Sequence, residues 1–197
     1  APVRVEHRDA AVQSVVDVVV AAIPDTPEND VVASLASAEL SKTSFESFKS
    51  GKPKYQIVRG SEHDVLARYA KAAEAVDASV IMRITADCPL IDPKVCGLVL
   101  CHIEGVDYSS NVERRVWPQG YDCQVFTRRM LNWANENAKE KFDREHVCPI
   151  MERGASGLQR RNVSTSINRS HERLTLDTLE DYVRIWNVLQ GQMREAA

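Results

Sequence analysis

The chain has 197 residues, 44% hydrophobic and 27% charged, which suits one soluble domain with a core of its own. Its 25 Lys+Arg against 28 Asp+Glu leave a net charge of -3, without the basic excess of a nucleic-acid binder. The longest apolar run, Val18 to Ile23, stops at Pro24, so no membrane span is expected, and the polar start Ala1-Pro2-Val3-Arg4 lacks a leader pattern.

In chain order, Arg4 to Ser14 is polar and weakly helical. Val15 to Ile23 reads as a strand covered on both faces, as in a parallel sheet. Pro24 to Asp30 predicts a helix start: Thr26 caps, Pro27 fits the first helical position, and Glu28 and Asp30 complement the dipole. That helix is expected to turn Val31, Val32, Leu35 and Ala36 inward. Ser41 to Pro53 reads as a polar loop. Tyr55 to Arg59 is a short strand, and Ser61 with Asp64 has capping-box spacing before a helix burying Val65, Leu66, Tyr69, Ala70 and Ala73.

The stretch Val80 to Thr85 is a β-branched strand that ends in Ala86-Asp87. Asp92 and Pro93 then open a helix with Val95, Leu98 and Val99 inside. Strands are predicted at Val106–Asn111 and Tyr121–Thr127, and a helix is marked by Met130, Leu131, Trp133 and Ala134. A shorter helix starts at Asp143, with Pro149 as its break. Arg161–Ile167 and Arg173–Leu176 are strand candidates. The last helix opens at Asp177-Thr178 and is expected to bury Leu179, Tyr182, Val183, Trp186 and Leu189. Alternating strands and helices over residues 1–197 predict a single layered α/β domain with a mixed, mainly parallel sheet.

Asp87 ends a strand, and in an open α/β sheet ligands bind at the carboxyl ends of strands. Asp177 also follows a strand-like run. If the two strands are neighbours, the carboxylates meet at one sheet edge as two hard ligands suited to magnesium. Asp177 is equally suited to cap the following helix. Arg59-Gly60-Ser61 leads into a helix N-terminus whose amides suit a phosphate or a base carbonyl, or simply form a cap. Pro118 to Asp122 and Arg144 to His146 have the mixed charges of binding loops and of surface loops alike. The five cysteines are odd in number and form no CxxC pair, so reduced, mostly buried thiols of a cytoplasmic protein are expected. No P-loop, zinc-protease or Gly-x-Ser-x-Gly motif occurs.

Six segments in order resemble one family: Ile23–Val31, Arg59–Tyr69, Arg83–Pro93, Pro118–Phe126, Arg144–Val147 and Arg173–Asp181. They are similar to the spore-coat polysaccharide biosynthesis cytidylyltransferases, relatives of the CMP-KDO and CMP-acylneuraminate synthetases. The resemblance implies a three-layer α/β/α nucleotide-diphospho-sugar transferase fold. It also implies transfer of CMP from CTP to an acidic sugar, by in-line attack on the α-phosphate. On that pattern Asp87 and Asp177 hold Mg2+. Gly60, Ser61, Asp64 and Arg68 line the nucleotide, while Gly120, Asp122, Arg144 and His146 face the sugar.

Relatives are often dimers, and Arg114, Arg115 and Trp117 are placed to serve in such a contact. Against the family pattern, the chain begins after the N-terminal strand and Gly-rich triphosphate loop. Ala86 stands for the usual glycine, and Gln119 and Gln124 for acidic residues. These departures keep two alternatives in view: a non-catalytic sugar-nucleotide-binding or dimerisation module, and a glycosyltransferase of the same general fold.

Overall fold

A computed structural model describes residues 16–37 and 54–195. The weakly helical reading of Arg4–Ser14 and the loop expected in Ser41–Pro53 lie outside the described residues. The described residues form two compact units: those of Ala1–Ser79 with Leu131–Met151, and those of Val80–Met130 with Glu152–Ala197.

In the first unit, strand β1 (Val18–Pro24) pairs in parallel with β2 (Lys54–Gly60), Val18 opposite Lys54 and Pro24 opposite Gly60. Between them lie a 3-10 turn at Pro27–Asn29 and helix α1 over 30–37. Arg59 organises this entry. Its guanidinium donates to the carbonyls of Pro24 and Thr26 and to Asp30 Oδ1. Contrary to expectation, β1 is not covered on both faces: Ile23 is buried but Val19 is exposed. Nor does α1 turn its apolar residues inward. Val31, Val32 and Leu35 are exposed, because the Arg59 anchor fixes only the start of the helix and nothing among the described residues covers that stripe.

Helix α2 (Val65–Ala75) packs on β2 with Leu66, Ala72 and Ala73 buried. Its sequence cap was expected at Ser61. Instead Asp64 is the cap and accepts from the Ala67 amide, while Ser61 Oγ accepts from the Asp64 amide, so the helix begins one turn later. Helices α4 (Arg128–Asn137), α5 (Lys141–His146) and α6 (Pro149–Arg153) follow the predicted break at Pro149. Val147, buried between α5 and α6, holds a positive φ of 69°, a costly conformation for a β-branched residue.

The second unit carries a four-stranded sheet in the order β3-β5-β4-β6, built from Val80–Arg83, Gln124–Thr127, Tyr108–Ser110 and Arg160–Asn162. β5 runs antiparallel to both its neighbours, and β4 pairs with β6 in parallel. The described strands are therefore of the mixed α/β type, with a parallel ladder in the first unit and both parallel and antiparallel ladders in the second. Helix α3 (Pro93–Cys101), capped by Asp92 as predicted, buries Val95, Cys96 and Val99 against β4 and β5. Val99, Cys96, Cys123, Val125 and Val163 form the core there. Four of the five thiols are buried and all are free, as the cysteine spacing predicted.

Helix α7 (Leu179–Glu195) reverses its predicted face. Asp181 and Ile185 are buried, while Leu179, Tyr182, Val183, Trp186 and Leu189 are exposed. The cause is electrostatic. Asp181 is drawn inward by Arg173 and by the amides at the helix start, and a helix anchored at one residue has its rotation set for all the others.

Candidate functional site

In the second unit, β3 ends at Arg83 and the chain turns through Ala86 and Asp87. The turn is braced by the Cys88 amide on the Thr85 carbonyl at 3.2 Å and the Ile91 amide on the Cys88 carbonyl at 3.2 Å. The segment after Glu172 returns beside it. Leu174 N–H donates to the Gln119 carbonyl and Leu176 N–H donates to the Asp87 carbonyl, at 2.7 and 2.8 Å. The backbones carrying Asp87 and Asp177 are therefore neighbours, although Arg173 forms only an isolated parallel bridge to Gln119 rather than the expected strand.

Asp87 is half-buried, and no cation pairs with it among the described residues. Its Oδ1 accepts from the Cys88 thiol at 3.8 Å. That thiol is pushed up by burial, which keeps it protonated.

Asp177 does not cap α7. Thr178 and Asp181 do, as a reciprocal box: the Asp181 amide donates to Thr178 Oγ1 at 3.2 Å, and the Thr178 amide donates to Asp181 Oδ2 at 3.1 Å. Asp177 is exposed, with its carboxylate held by Arg173 four residues earlier. The capping role that competed with metal binding in the sequence thus belongs to a different pair. Hard carboxylate oxygens on adjoining segments are the ligand type a magnesium ion takes, with waters or phosphate oxygens completing its shell. Among the described residues no group of three or more His, Cys, Asp or Glu side chains is placed to hold a metal by itself.

Asp181 also yields an acid-stability test. Hydrogen bonds from Arg173 draw its carboxyl well below the carboxylate range. Burial opposes this, and Arg184 and the amides of Asp177 and Thr178 reinforce it. A depressed folded value means its stabilisation is complete above the unfolded value, ordinarily near 3.8, and is lost as pH falls below it. The melting temperature of the wild-type chain is expected to drop more steeply than that of Asp181→Asn as pH falls from about 5 to about 2. Asp181→Asn is already less stable at neutral pH. Thermal unfolding followed by circular dichroism at each pH reads both.

Gly120 sits in the same unit at a φ of 103°. Its neighbour Asp122 receives two hydrogen bonds from Arg115, at 2.6 and 2.8 Å. The buried Asn111 side chain holds this loop, donating to the Tyr121 carbonyl at 2.7 Å and accepting from the Cys123 amide at 2.9 Å. Arg115 and Trp117, placed by sequence in a possible dimer contact, are engaged within the unit, Trp117 through Nε1 on the Val163 carbonyl at 3.2 Å. The two glutamines at usually acidic positions serve as acceptors: Gln124 for Arg83 at 3.0 Å and Gln119 for Arg173 at 3.4 Å.

In the first unit Gly60, Ser61, Asp64 and Arg68 lie together. Arg68 Nη1 donates to the Ser61 carbonyl at 2.6 Å, and burial lowers the Arg68 pKa. Gly60 lets the two approach closely: a Cβ there would lie 3.1 Å from Arg68 Cγ, so the arginine stem would have to give by a few tenths of an ångström. Arg144 joins this cluster. Its Nε and Nη2 grip both oxygens of Asp64, and its Nη1 donates to the Asn135 carbonyl at 2.8 Å. Burial raises the Asp64 carboxyl, but Arg144 and the Ala67 amide together hold it below its ordinary range. The sequence grouped Arg144 with Gly120 and Asp122; the structure seats it on Asp64. His146 is exposed, its ring 4.4 Å from that of Phe142.

The Asp64–Arg144 pair is partly open to water, which screens it. A double-mutant cycle of Asp64→Asn and Arg144→Met is expected to return a coupling of about 1 kcal/mol by denaturant unfolding. Sequence reasoning missed the roles of Arg173 and Asn111, and of Arg115 as the partner of Asp122. Arg173 was detectable as an opposite charge four residues before Asp177.

The mixed α/β arrangement is that of a nucleotidyltransferase-like class, and a solved cytidylyltransferase from Leptospira borgpetersenii serovar Hardjo-bovis shares it. That structure matches with a TM-score of 0.66 at 25% identity, over 90% of this chain and 76% of the other. A family model described as cytidylyltransferase matches residues 45–194, most of the length, and the chain belongs to the cytidylyltransferase family.

It is 34% identical over 133 residues to an uncharacterized protein of Methanocaldococcus jannaschii, covering 64% of this chain and 52% of that protein. It is also 34% identical over 137 residues to the spore coat polysaccharide biosynthesis protein SpsF of Bacillus subtilis, covering 66% and 55%. The chain spans about half the length of the curated relatives it matches. Among the described residues no helix is long and apolar enough to cross a membrane.

Proposed function

We propose that the chain serves a cytidylyltransferase that moves CMP from CTP to an acidic sugar destined for a surface polysaccharide. What supports the reading is the Leu176 N–H bond to the Asp87 carbonyl, which runs the segment leading to Asp177 alongside the Asp87 turn in a chain of this family, with the half-buried Asp87 carboxylate paired to no cation among the described residues. Asp87 and Asp177 would hold Mg2+, which when bound neutralises the charge that develops on the phosphates.

Each remaining task falls to the chain's own groups. Arg173 keeps Asp177 oriented, and the Asp181 box leaves that carboxylate free of the helix start. Gly60 and Ser61 offer backbone amides to the nucleotide, in a turn that Asp64, Arg68 and Arg144 hold in shape. Gly120 and Asp122 take part on the sugar side, with Arg115 steering Asp122. A homodimer is compatible with this reading and is tested by light scattering.

The test is titration of the chain with CTP, with and without magnesium, followed by pyrophosphate release with a keto-deoxy sugar acid. Magnesium-dependent CTP binding is expected. Its absence would overturn the reading.

A further inference from the structure

Helix α7 carries an exposed feature that the proposed chemistry leaves unused. From Leu179 to Leu189 it turns five large apolar side chains to solvent. Leu179 is 76% exposed, Tyr182, Val183 and Trp186 are 52% each, and Leu189 is 38%. The face fixed inward is the one with Asp181 and Ile185. The Arg173–Asp181 anchor sets the angle of the helix, so α7 cannot roll over to hide the stripe without breaking that ion pair.

The spacing of the stripe is specific. Leu179, Tyr182, Trp186 and Leu189 follow one another at intervals of three, four and three residues, the a/d repeat of a helix-to-helix seam. The rings of Tyr182 and Trp186 already stack within it, with centroids 6.5 Å apart and planes 15° from parallel, so the middle of the seam is ordered in advance. The positions that flank it carry no charge: Val183 and Gln190 on one side, Ile185 on the other. Two such helices therefore meet without like-charge repulsion.

These features select the occupant. A lipid surface favours lysines and arginines along the polar face of a helix, whereas Glu180, Asp181 and Arg184 leave no cationic excess here. A second α7 brings an apolar stripe of equal length and spacing. At the exposures above, the stripe leaves on the order of 500 Å2 open per copy, an aromatic side chain alone counting about 150–250 Å2 when whole. Pairing two of them removes about 1,000 Å2 from water, the least that a specific interface needs.

We infer that α7 is a self-pairing surface, on which two copies of the chain pack their stripes antiparallel about a twofold axis. That order sets Leu179 against Leu189 of the other copy, brings the two aromatic pairs together at the centre and opposes the helix dipoles. The inference concerns assembly and stands or falls apart from the transferase reading.

Sedimentation velocity of the chain from about 1 to about 200 µM tests it. A monomer–dimer shift with a midpoint on the order of 10 µM is expected, weak because the area lies at the bottom of the specific range. Trp186→Glu and Leu179→Glu should each weaken pairing at least about tenfold. Val31→Glu, a control at an exposed apolar residue of α1, should leave it within about twofold. Leu179→Glu and Leu189→Lys should each pair poorly alone and recover when mixed, since only the antiparallel order brings their opposite charges together.

Circular dichroism of each variant is expected to match wild type. Should that of Trp186→Glu differ, Leu179→Glu, at the more exposed position, carries the comparison. A chain that stays monomeric throughout, pairing that survives both glutamate variants, or a mixture that fails to recover would overturn the inference. So would flotation of the chain with phosphatidylcholine vesicles that Trp186→Glu abolishes, which would seat a lipid surface on the stripe instead.

Discussion

Asp87→Asn is expected to lower CMP transfer by roughly 10³-fold, about 4 kcal/mol of transition-state stabilisation, while leaving the unfolding midpoint unchanged. The split follows from what the side chain touches. Its carboxylate makes only a 3.8 Å contact with the Cys88 thiol, so an amide of the same shape removes nothing that the fold depends on. The bond that holds the turn to Leu176 is made by the Asp87 carbonyl, which the substitution keeps.

On the proposed metal role the effect on transfer is different, because a neutral amide oxygen would replace one of two anionic ligands where charge must be neutralised. Pyrophosphate release across a magnesium series, together with CTP titration, measures the loss. Partial recovery at high magnesium is expected. A loss of stability equal to the loss of activity would instead make Asp87 a structural residue.

Gly120→Ala is expected to destabilise the chain by about 2–4 kcal/mol, the sum of positive-φ strain and forced backbone displacement. For a chain of this length that corresponds to a melting temperature lower by very roughly 4–16 °C. An added Cβ would lie 2.7 Å from both the carbonyl carbon and oxygen of Leu174 and 3.1 Å from the Thr175 nitrogen. All three are backbone atoms, so no rotamer change relieves the clash. The segment cannot simply retreat, since the Gln119 amide is bound to the Glu172 carbonyl at 2.9 Å and the Leu174 amide to the Gln119 carbonyl at 2.7 Å.

Displacing Leu174 would pull Leu176 from Asp87 and carry Asp177 away from its neighbour, so magnesium dependence should weaken along with stability. Gly105→Ala is the control. It shares the positive φ, at 75°, but a Cβ there meets nothing within 4 Å, so only the strain of about 1 kcal/mol is expected. Denaturant unfolding of both variants checks the difference.

Much of the local structure was legible because its causes are local. Asp92 with Pro93 opens α3 as spacing predicts, since an acceptor side chain and a proline at the first helical position act over two residues. The β-branched run before Asp87 forms β3, and Thr178 with Asp181 closes a capping box that the three-residue spacing announced. The order of the motifs likewise identified the family, because those segments are recognised one at a time.

What sequence misjudged depends on partners far along the chain. Apolar periodicity shows that α1 and α7 have a hydrophobic stripe but not which way it turns. In α7 the buried position went to Asp181, because Arg173, eight residues upstream, compensates its burial with charge-assisted bonds. Whether Asp177 caps a helix or stands free could not be read from a motif that permits both. The hydrogen bonds of its neighbours decided it.

The sequence by itself determined the α/β class, the family and the two aspartates as the residues to watch, since these follow from short-range pattern and motif order. Only the tertiary structure decided that Asp87 pairs with no cation among the described residues, that Arg144 belongs to Asp64, and that Asp181 rather than Asp177 caps α7. Each of these is an allocation of a limited number of charged partners in space. Which cation pairs with which carboxylate is settled by where the folded backbone brings them, not by what stands next to them in the chain.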